Sequence, residues 1–436
     1  MARWKRELSV AGRLTAVVLP IAILAYHGDN PVAAVALITL TAAIWWAALR
    51  IGFQATLRAL GPAVAAAFGT VVGLVLVSAF ALWVPALDGS PLTLLELAGL
   101  IFLFTTGWET FVQPRLARRQ KVLILGTTEL ASDVAAEATR SGDSAFDVVG
   151  VVASSDDSGA PLPPLLGSLR DLSELVDIQR PDLIVLTDAD PGPAVDRLLE
   201  TSWREFRVVG VSDFFEHAFG RVPLAHIGPA WFMSVLHLRR QRYAGWSKRA
   251  FDVTVAVIGF VVAAPIFLLV ALAVRVSGKP VLIRQTRLGE RGMTLEMYKF
   301  RTMIPGGEPV GTARWAAVND PRVTRLGRVL RRTRLDELPQ LWNVIRGDMS
   351  MVGPRPERPE FIRVLEETVP FWNRRLLVKP GVTGWAQIRS GYAADCDHMA
   401  EKLSHDLWYI RNRTLLLDVA ICAKTCLTLL SGTGAR

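Results

Sequence analysis

Four long apolar stretches, separated by short polar segments, fill the first 119 residues of the chain. They lie at about 12–27, 31–49, 61–84 and 92–112. A helix needs about 20 mostly apolar residues to cross the hydrocarbon core of a bilayer, and each stretch is close to that length. The pattern therefore predicts four transmembrane helices in residues 1–119.

Positive charge marks alternate ends of these stretches. Lysine and arginine occur before the first stretch, between the second and third, and after the fourth, whereas the loops at 27–30 and 85–91 contain neither. Because an excess of Lys and Arg marks the cytoplasmic side of a membrane protein, the N-terminus and the chain from residue 120 onward are predicted to be cytoplasmic.

Apolar strand-like runs alternate with helix-like segments in residues 120–225. This alternation predicts a Rossmann-like α/β domain with an open sheet. The turn after the first strand has one glycine, Gly126, where a dinucleotide-binding fingerprint needs three. Regulation or assembly is therefore favoured over nucleotide binding. Asp188 and Asp190 could form a metal-binding DxD motif, but a loop of solvated acids is the simpler interpretation.

A fifth apolar stretch, at 251–274, follows a predicted linker at 226–246 and begins a C-terminal domain at 247–436. Basic residues flank it on both sides, which fits two cytoplasmic ends, and Pro265 is a point at which a helix can break. Prolines also occur in ordinary spans. A helix that enters the membrane and returns, over about 250–276, and a helix that crosses it are both consistent with these residues.

Composition narrows the protein class. Of the 436 residues, 51% are hydrophobic and 20% are charged, which excludes intrinsic disorder. Three cysteines are too few for a disulfide framework and fit a reducing compartment. Residues 120–225 hold 18 acidic and 8 basic side chains, whereas 247–436 hold 17 and 29. A basic domain beside membrane segments indicates anionic partners such as lipid phosphates and nucleotides; no nucleic-acid-binding module is visible, so nucleic acid is not expected.

Two adjacent acids, Asp336 and Glu337, follow a run of arginines in the C-terminal domain and precede a helix predicted from Pro339. Acids at a helix N-terminus complement the helix dipole, which is one interpretation. The other is a phosphoryl-transfer site. A carboxylate that attacks a diphosphate must overcome like-charge repulsion, and arginine or a divalent cation can neutralise it.

Four basic residues are candidate phosphate ligands. Arg331 lies five residues before Asp336, and Arg355 stands between two prolines that stiffen its loop. Lys299 and Arg301 would share one face of a strand. For this last pair, contact with lipid headgroups or a solvated strand face is the alternative.

Several stretches together resemble the bacterial sugar transferase family, which comprises polyprenyl-phosphate hexose-1-phosphate transferases, or monotopic phosphoglycosyl transferases. The stretches are KRAFD from Lys248, KFRTM from Lys299, LDELPQLWNVIRGDMSMVGPRP from Leu335 and KPGVTGWAQI from Lys379. They cover 247–436 with little interruption. The front half resembles the long form of the family, with four spans and a Rossmann-like domain before the catalytic part.

The resemblance implies a reaction and a set of roles. The family transfers a sugar 1-phosphate from a UDP-sugar to undecaprenyl phosphate and releases UMP, the first step in building a surface-polysaccharide repeat unit. Asp336 matches the family's nucleophile, which forms a covalent phosphosugar intermediate, and Glu337 matches the residue at the Mg²⁺ site. The membrane element of the family is a re-entrant helix broken at a proline, here Ala264–Pro265.

The sequence thus predicts a membrane protein of the α and α/β class in the bacterial inner membrane. It has a four-helix transmembrane front, a Rossmann-like middle domain and a cytoplasmic α+β catalytic domain with a re-entrant helix. An inactive membrane-anchored regulator or scaffold of polysaccharide assembly is the alternative function. A transporter is disfavoured because the spans contain few polar residues. The donor sugar is left open, as is the oligomeric state, for which a homodimer is the candidate.

Overall fold

The computed structural model divides the 436-residue chain into two compact units, Met1–Phe219 and Gly220–Arg436. The structure describes residues 12–19, 21, 31–52, 62–81, 91–116, 119–126, 129–140, 146–153, 164–187, 192–200, 206–228, 231–233, 235, 245–304, 320–390 and 396–431. The predicted DxD motif at Asp188 and Asp190, and most of the predicted linker at 226–246, lie outside these residues.

The first unit begins with apolar helices. Residues 12–19 are helical, and α1 (Pro31–Gly52), α2 (Pro62–Ala81), α3 (Pro91–Gly107), a π-helical turn (Trp108–Val112) and α4 (Gln113–Leu116) follow. Two described segments of this unit, Pro62–Ala79 and Leu94–Val112, are long and apolar enough to cross a membrane. They agree with the third and fourth predicted spans. The apolar part described in α1, Thr39–Leu49, is shorter, so the four-span front is not confirmed.

Small residues let α1 and α2 approach closely. The Trp45 ring of α1 is fully buried, and a Cβ atom at Gly73 of α2 would lie 2.4 Å from it. A Cβ atom at Gly69 would lie 2.7 Å from the Leu49 side chain. Close packing against glycine is how helices associate in lipid, where burial of apolar surface gives little driving force.

A parallel five-stranded sheet follows in the same unit, in the order β3-β2-β1-β4-β5. Its strands are β1 (Gln120–Leu125), β2 (Phe146–Ala153), β3 (Leu165–Ser168), β4 (Leu183–Leu186) and β5 (Arg207–Gly210). Its helices are α5 (Glu129–Arg140), α6 (Leu172–Gln179), α7 (Gly192–Glu200) and α8 (Val211–Phe219). This confirms the predicted parallel α/β sheet.

Alternate side chains of β1 enter separate cores on the two faces of the sheet. Val122 and Ile124 pack in one core with Phe214, whereas Leu123 and Leu125 pack in the other. Successive side chains of a strand point to opposite faces, so a strand covered on both sides reads as a continuous apolar run.

The second unit is α+β. It contains α9 (Trp246–Val276), an antiparallel hairpin of β6 (Leu282–Leu288) and β7 (Thr294–Phe300), α10 (Arg325–Arg332), a 3₁₀ turn (Leu335–Glu337), α11 (Gln340–Arg346), β8 (Ser350–Val352), α12 (Pro359–Thr368), a 3₁₀ helix (Trp372–Leu377), β9 (Gly381–Thr383), α13 (Trp385–Arg389), α14 (Cys396–Asn412) and α15 (Leu415–Ser431). β8 and β9 pair in parallel. The hairpin and the residue after it, α10, the 3₁₀ turn and the segment after β8 carry the predicted catalytic and phosphate-binding residues.

The apolar helix α9 stays helical on both sides of Pro265. A proline removes one donor, and α9 is nevertheless a single helical segment across Ala264–Pro265, so the predicted break there stays a prediction. The helix is long and apolar enough to cross a membrane. Its re-entrant course stays a prediction.

Both halves of α9 pack on the body of the second unit. Ala256 lies in a core with Leu341, and Val274 lies in another core with Phe300. Most side chains between these two contacts are exposed, with Val262 at 73% and Leu268 at 71%. A large exposed apolar face of this kind marks a surface that binds lipid or another protein.

Candidate active site

The 3₁₀ turn with the two acids is set by the chain direction just before it. Arg334 has a left-handed backbone, with φ of 54°, which turns the chain out of α10. At the other end of α10, Thr324 caps the helix by accepting a hydrogen bond from the Gly327 amide, 2.8 Å away. A Cβ atom at Gly327 would lie 2.0 Å from the Thr302 carbonyl oxygen. Glycine at this position therefore allows α10 to pack against the chain that leaves β7.

Glu337 is surrounded by positive charge. Its Oε1 atom lies 2.6 Å from Arg355 Nη2 and 3.4 Å from Lys299 Nζ, and its Oε2 atom accepts from Arg355 Nη1 at 3.4 Å. Burial raises the pKa of Glu337, but the Arg355 and Lys299 charges outweigh burial and hold it well below its ordinary value. Glu337 is therefore a carboxylate throughout the physiological range.

The pKa of Asp336, one residue earlier, is shifted in the opposite direction. Its side chain is buried, with 7% of the residue exposed. Burial first, and then the Glu337 charge, raise the pKa of Asp336 to about 6 against the attraction of Lys299 and Arg355. Two adjacent carboxyl groups whose environments push their pKa values apart are typical of a site in which each has a separate role.

Lys299 and Arg355 come from distant parts of the sequence to meet these acids. Lys299 is near the end of β7, and burial lowers the pKa of its ammonium to about 8 while Glu337 acts in the other direction. The structure thus brings together Asp336, Glu337, Lys299 and Arg355. Cationic side chains beside the carboxylates suit an anionic ligand such as a diphosphate.

Arg331 lies beside this group. Its Nε atom donates to Thr302 Oγ1 at 2.9 Å, and its charge lowers the pKa of Asp336. Sequence reasoning missed two contributors, Thr302, which orients Arg331, and Arg334, whose charge lowers the pKa of Glu337. Thr302 stands inside the KFRTM stretch and Arg334 immediately before the stretch from Leu335, but their residue types alone do not separate them from neighbouring positions.

Arg301 corrects a prediction. Its guanidinium donates to the carbonyl oxygens of Pro280, Met303 and Val274 and to the hydroxyl of Ser277, over 2.9–3.3 Å. Only 5% of the residue is exposed. These bonds close the C-terminal end of α9, where carbonyls lack helical partners. Arg301 therefore ties α9 to the hairpin instead of joining the cluster of Asp336, Glu337, Lys299 and Arg355.

Replacing Arg301 by glutamine should destabilise the second unit by about 2–3 kcal/mol, since a buried charged donor with several acceptors is lost. The protein that remains folded should keep its affinity for an anionic substrate. Thermal unfolding and substrate KM measure the two effects, with Arg284→Gln as a control because that side chain is 69% exposed. Unchanged stability with a strongly raised KM would contradict the structural role.

The side chains of the site can be compared with the ligands that a divalent cation needs. The described residues contain no group of three or more His, Cys, Asp or Glu side chains that could hold a metal ion. Mg²⁺ in phosphoryl-transfer sites is usually bound through one or two carboxylates, with waters and substrate phosphates as the other ligands. Asp336 and Glu337 fit that pattern, and Glu337 is ionised.

The pKa values of Asp336 and Lys299 predict a bell-shaped pH dependence. If ionised Asp336 and protonated Lys299 are the active forms, kcat/KM should rise with pH through about 6 and fall above about 8. Lys299→Arg should remove the alkaline fall, because arginine keeps its charge. A kcat/KM that is constant between pH 5 and 7 would contradict the assignment of Asp336.

Comparison with known proteins finds matches over the part of the chain that carries this site. The family described as bacterial sugar transferase matches residues 243–432. A UDP-N-acetylgalactosamine-undecaprenyl-phosphate N-acetylgalactosaminephosphotransferase of Aeromonas hydrophila is 39% identical over 270 residues, 59% of this chain and 63% of that protein. The UDP-glucose:undecaprenyl-phosphate glucose-1-phosphate transferase of Escherichia coli K12 is 41% identical over 179 residues, 40% of this chain and 38% of that protein.

Shorter relatives are matched over most of their length. Exopolysaccharide production protein PSS of Rhizobium leguminosarum is 40% identical over 181 residues, which make up 90% of that protein and 40% of this chain. By contrast, the chain spans less than two thirds of the Aeromonas and Escherichia proteins. The family match and the near-complete coverage of the shorter relative show that the chain belongs to the bacterial sugar transferase family.

Proposed function

We propose that this chain transfers a hexose 1-phosphate from a UDP-sugar to undecaprenyl phosphate, giving undecaprenyl diphosphate sugar and UMP. The observation that carries the proposal is the buried Asp336, whose pKa is raised to about 6, beside a Glu337 that Lys299 and Arg355 keep ionised. A carboxylate poised near neutral pH and surrounded by cations is equipped to attack phosphorus.

The reaction proceeds in two displacements. An oxygen of Asp336 attacks the phosphorus bonded to the sugar, and the bond from that phosphorus to the bridging oxygen of the diphosphate breaks. The bridging oxygen leaves with UMP, and the sugar phosphate is held as an acyl phosphate on Asp336. A phosphate oxygen of undecaprenyl phosphate then attacks the same phosphorus, which restores the carboxylate and forms the new diphosphate.

Charge complementarity supports the first displacement. Arg355 and Lys299 both pair with Glu337, and Arg331 adds a third cation whose charge acts on Asp336. Such groups offset the repulsion between a carboxylate and a diphosphate and stabilise charge that develops on the leaving phosphate. Mg²⁺ held by Glu337 would neutralise the same phosphates when it is bound.

The anchoring of α9 supports a re-entrant membrane helix. At its N-terminal end, Asp252 accepts hydrogen bonds from Ser350 Oγ and the Met351 amide, both at 3.0 Å. At its C-terminal end, Arg301 holds the Val274 carbonyl oxygen. The helix has 31 residues, about 46 Å if straight, and yet both ends bond to the same polar body. We infer that both ends stay on the cytoplasmic side and that the exposed middle enters the inner leaflet.

Cysteine labelling tests this topology. Trp246 and Val276 stand at the two ends of α9 and are 84% and 82% exposed. Trp246→Cys and Val276→Cys, each in a background without the three native cysteines, should react with an impermeant maleimide from the cytoplasmic side only. Labelling of the two positions from opposite sides would show that the helix crosses.

Cytoplasmic placement of the site agrees with the supply of its substrate, because nucleotide sugars are made in the cytoplasm. The proposed location is the bacterial inner membrane, with several spans and a cytoplasmic N-terminus. The proposed role is the first step of repeat-unit synthesis for an exopolysaccharide, capsule or O-antigen. The relatives' names specify different sugars, so the donor is chosen by experiment.

The test is UMP release. The purified protein is incubated with undecaprenyl phosphate, Mg²⁺ and each of UDP-glucose, UDP-galactose, UDP-N-acetylglucosamine and UDP-N-acetylgalactosamine. At least one donor should give UMP and a lipid-linked sugar in equal amounts, and release should depend on undecaprenyl phosphate after the first turnover. Absence of UMP with every UDP-sugar would favour the inactive regulator or scaffold.

A further inference from the structure

The main chain around Arg355 is fixed at nearly every carbonyl. The Val352 oxygen accepts a hydrogen bond from the Tyr409 hydroxyl at 3.1 Å, and the Pro354 oxygen accepts one from the Gly381 amide at 2.9 Å. The Arg355 oxygen accepts from Arg375 Nη2 at 3.0 Å, and the Pro356 oxygen from Arg287 Nη1 at 3.3 Å. The Glu357 oxygen accepts from the Leu288 amide at 3.0 Å. The donors come from several different elements. The direction in which the Arg355 side chain leaves the backbone is thus set by the surrounding fold.

Arg375, on the 3₁₀ helix Trp372–Leu377, bonds to the Arg355 carbonyl itself. The same Nη2 atom also donates to Asp406 Oδ2 at 2.6 Å, and Nη1 lies 3.6 Å from Glu357 Oε1. The guanidinium stacks over the Trp372 ring at 4.5 Å from its centre. Arg375 is 3% exposed, so its charge is stabilised by these protein contacts and not by bulk solvent.

Burying the Arg375 guanidinium costs desolvation free energy, which its ion pair with Asp406 only offsets. Removing a guanidinium and a carboxylate from water requires several kcal/mol, and an apolar pair of similar volume often gives equal or greater stability. A buried Arg375–Asp406 pair is therefore weak support for a role in stability alone. Its geometry is specific in another respect, because it aims a donor at the carbonyl of the residue that pairs with Glu337.

We propose that Arg375 is a positioning residue that holds Arg355 against the diphosphate of the donor. Asp406 orients the Arg375 guanidinium, Arg375 fixes the Arg355 carbonyl, and the Arg355 side chain then meets Glu337 and the ligand. The part that concerns the diphosphate rests on the proposed function. The part that concerns the loop rests on the contacts alone.

The first experiment measures the loop without using activity. Hydrogen exchange is followed in the peptide that contains 352–357, in the full chain and in Arg375→Lys, which keeps the charge but loses the forked geometry. Arg374→Lys is the matched control, since Arg374 is the next residue on the same 3₁₀ helix and is exposed. Exchange at this loop should be at least about tenfold faster in Arg375→Lys and unchanged in the control. Unchanged exchange in Arg375→Lys would overturn the proposal.

The second experiment separates positioning from general stability by a double-mutant cycle. With UMP release as the readout, Arg375→Lys should lower kcat/KM about tenfold in the full chain and less than twofold in an Arg355→Lys background, because its effect passes through Arg355. Equal losses in both backgrounds would overturn the proposal.

If Arg375→Lys does not fold, Asp406→Asn replaces it in both experiments. A wild-type protein that releases no UMP would refute the proposed function, and the exchange data would still decide the role of Arg375 in the loop.

Discussion

Asp336→Asn is expected to abolish UMP release. Asparagine keeps the shape of the side chain but has no carboxylate oxygen that can attack phosphorus, and loss of a covalent nucleophile reduces kcat by at least about 1,000-fold. The substitution also removes a buried carboxyl group whose pKa is raised to about 6. Removing such a group should not lower stability at neutral pH, so the loss of rate will not reflect unfolding.

The matched control is Asp348→Asn, because Asp348 lies in the same unit and is paired with the exposed Arg346 at 3.3 Å. UMP release with the best donor, together with thermal unfolding, compares the two variants. The control should keep at least half of the rate. Full activity in Asp336→Asn would show that another group attacks the donor.

Arg355→Gln is expected to lower kcat/KM for the UDP-sugar by about 100–1,000-fold. The variant loses the 2.6 Å ion pair with Glu337, and removal of one preorganised donor at a charged transition state has effects of that size. It also raises the pKa of Glu337, since the Arg355 charge is a main cause of its low value.

Arg363→Gln is the control for this variant, because Arg363 is an exposed arginine on α12. Steady-state kinetics with varied UDP-sugar give KM and kcat separately for both proteins. A change of less than threefold in kcat/KM for Arg355→Gln would show that Arg355 serves the loop and not the substrate.

The sequence predicts Asp336, Glu337, Lys299 and Arg355 as candidate site residues from charge type and local stiffness, whereas the contacts among them are seen only in the structure. The two acids follow an arginine run, and the prolines beside Arg355 restrict its backbone. The parallel sheet could be predicted for a similar reason, since its central strands are continuous apolar runs. The short β3 was missed because only four residues form it and none of them is fully buried.

The sequence could not predict that Lys299 and Arg301 make different contacts. Alternate residues of a strand share one face, and that rule joined them. However, β7 ends at Phe300, and beyond that point the Arg301 side chain turns to the carbonyl groups at the end of α9. Those acceptors are brought near by tertiary folding, which a local pattern does not contain.

The same limit applies to Pro265. A proline in a helix predicts a break, but Phe260 and Phe267 lie on either side of it with ring centres 5.7 Å apart, and both pack on the second unit. The helix continues through the proline between these two contacts, and the predicted break stays a prediction. The apolar residues between Phe260 and Phe267, most of them exposed, belong to the part of α9 that we propose enters the membrane.

The central claim is that Asp336 carries the sugar phosphate. The most direct measurement is mass spectrometry of peptides from protein incubated with the active UDP-sugar, without undecaprenyl phosphate, and quenched in acid. The peptide that contains Asp336 should gain the mass of one sugar phosphate, and undecaprenyl phosphate added before the quench should remove it. Release of UMP with no adduct, or with the adduct on another residue, would contradict the account.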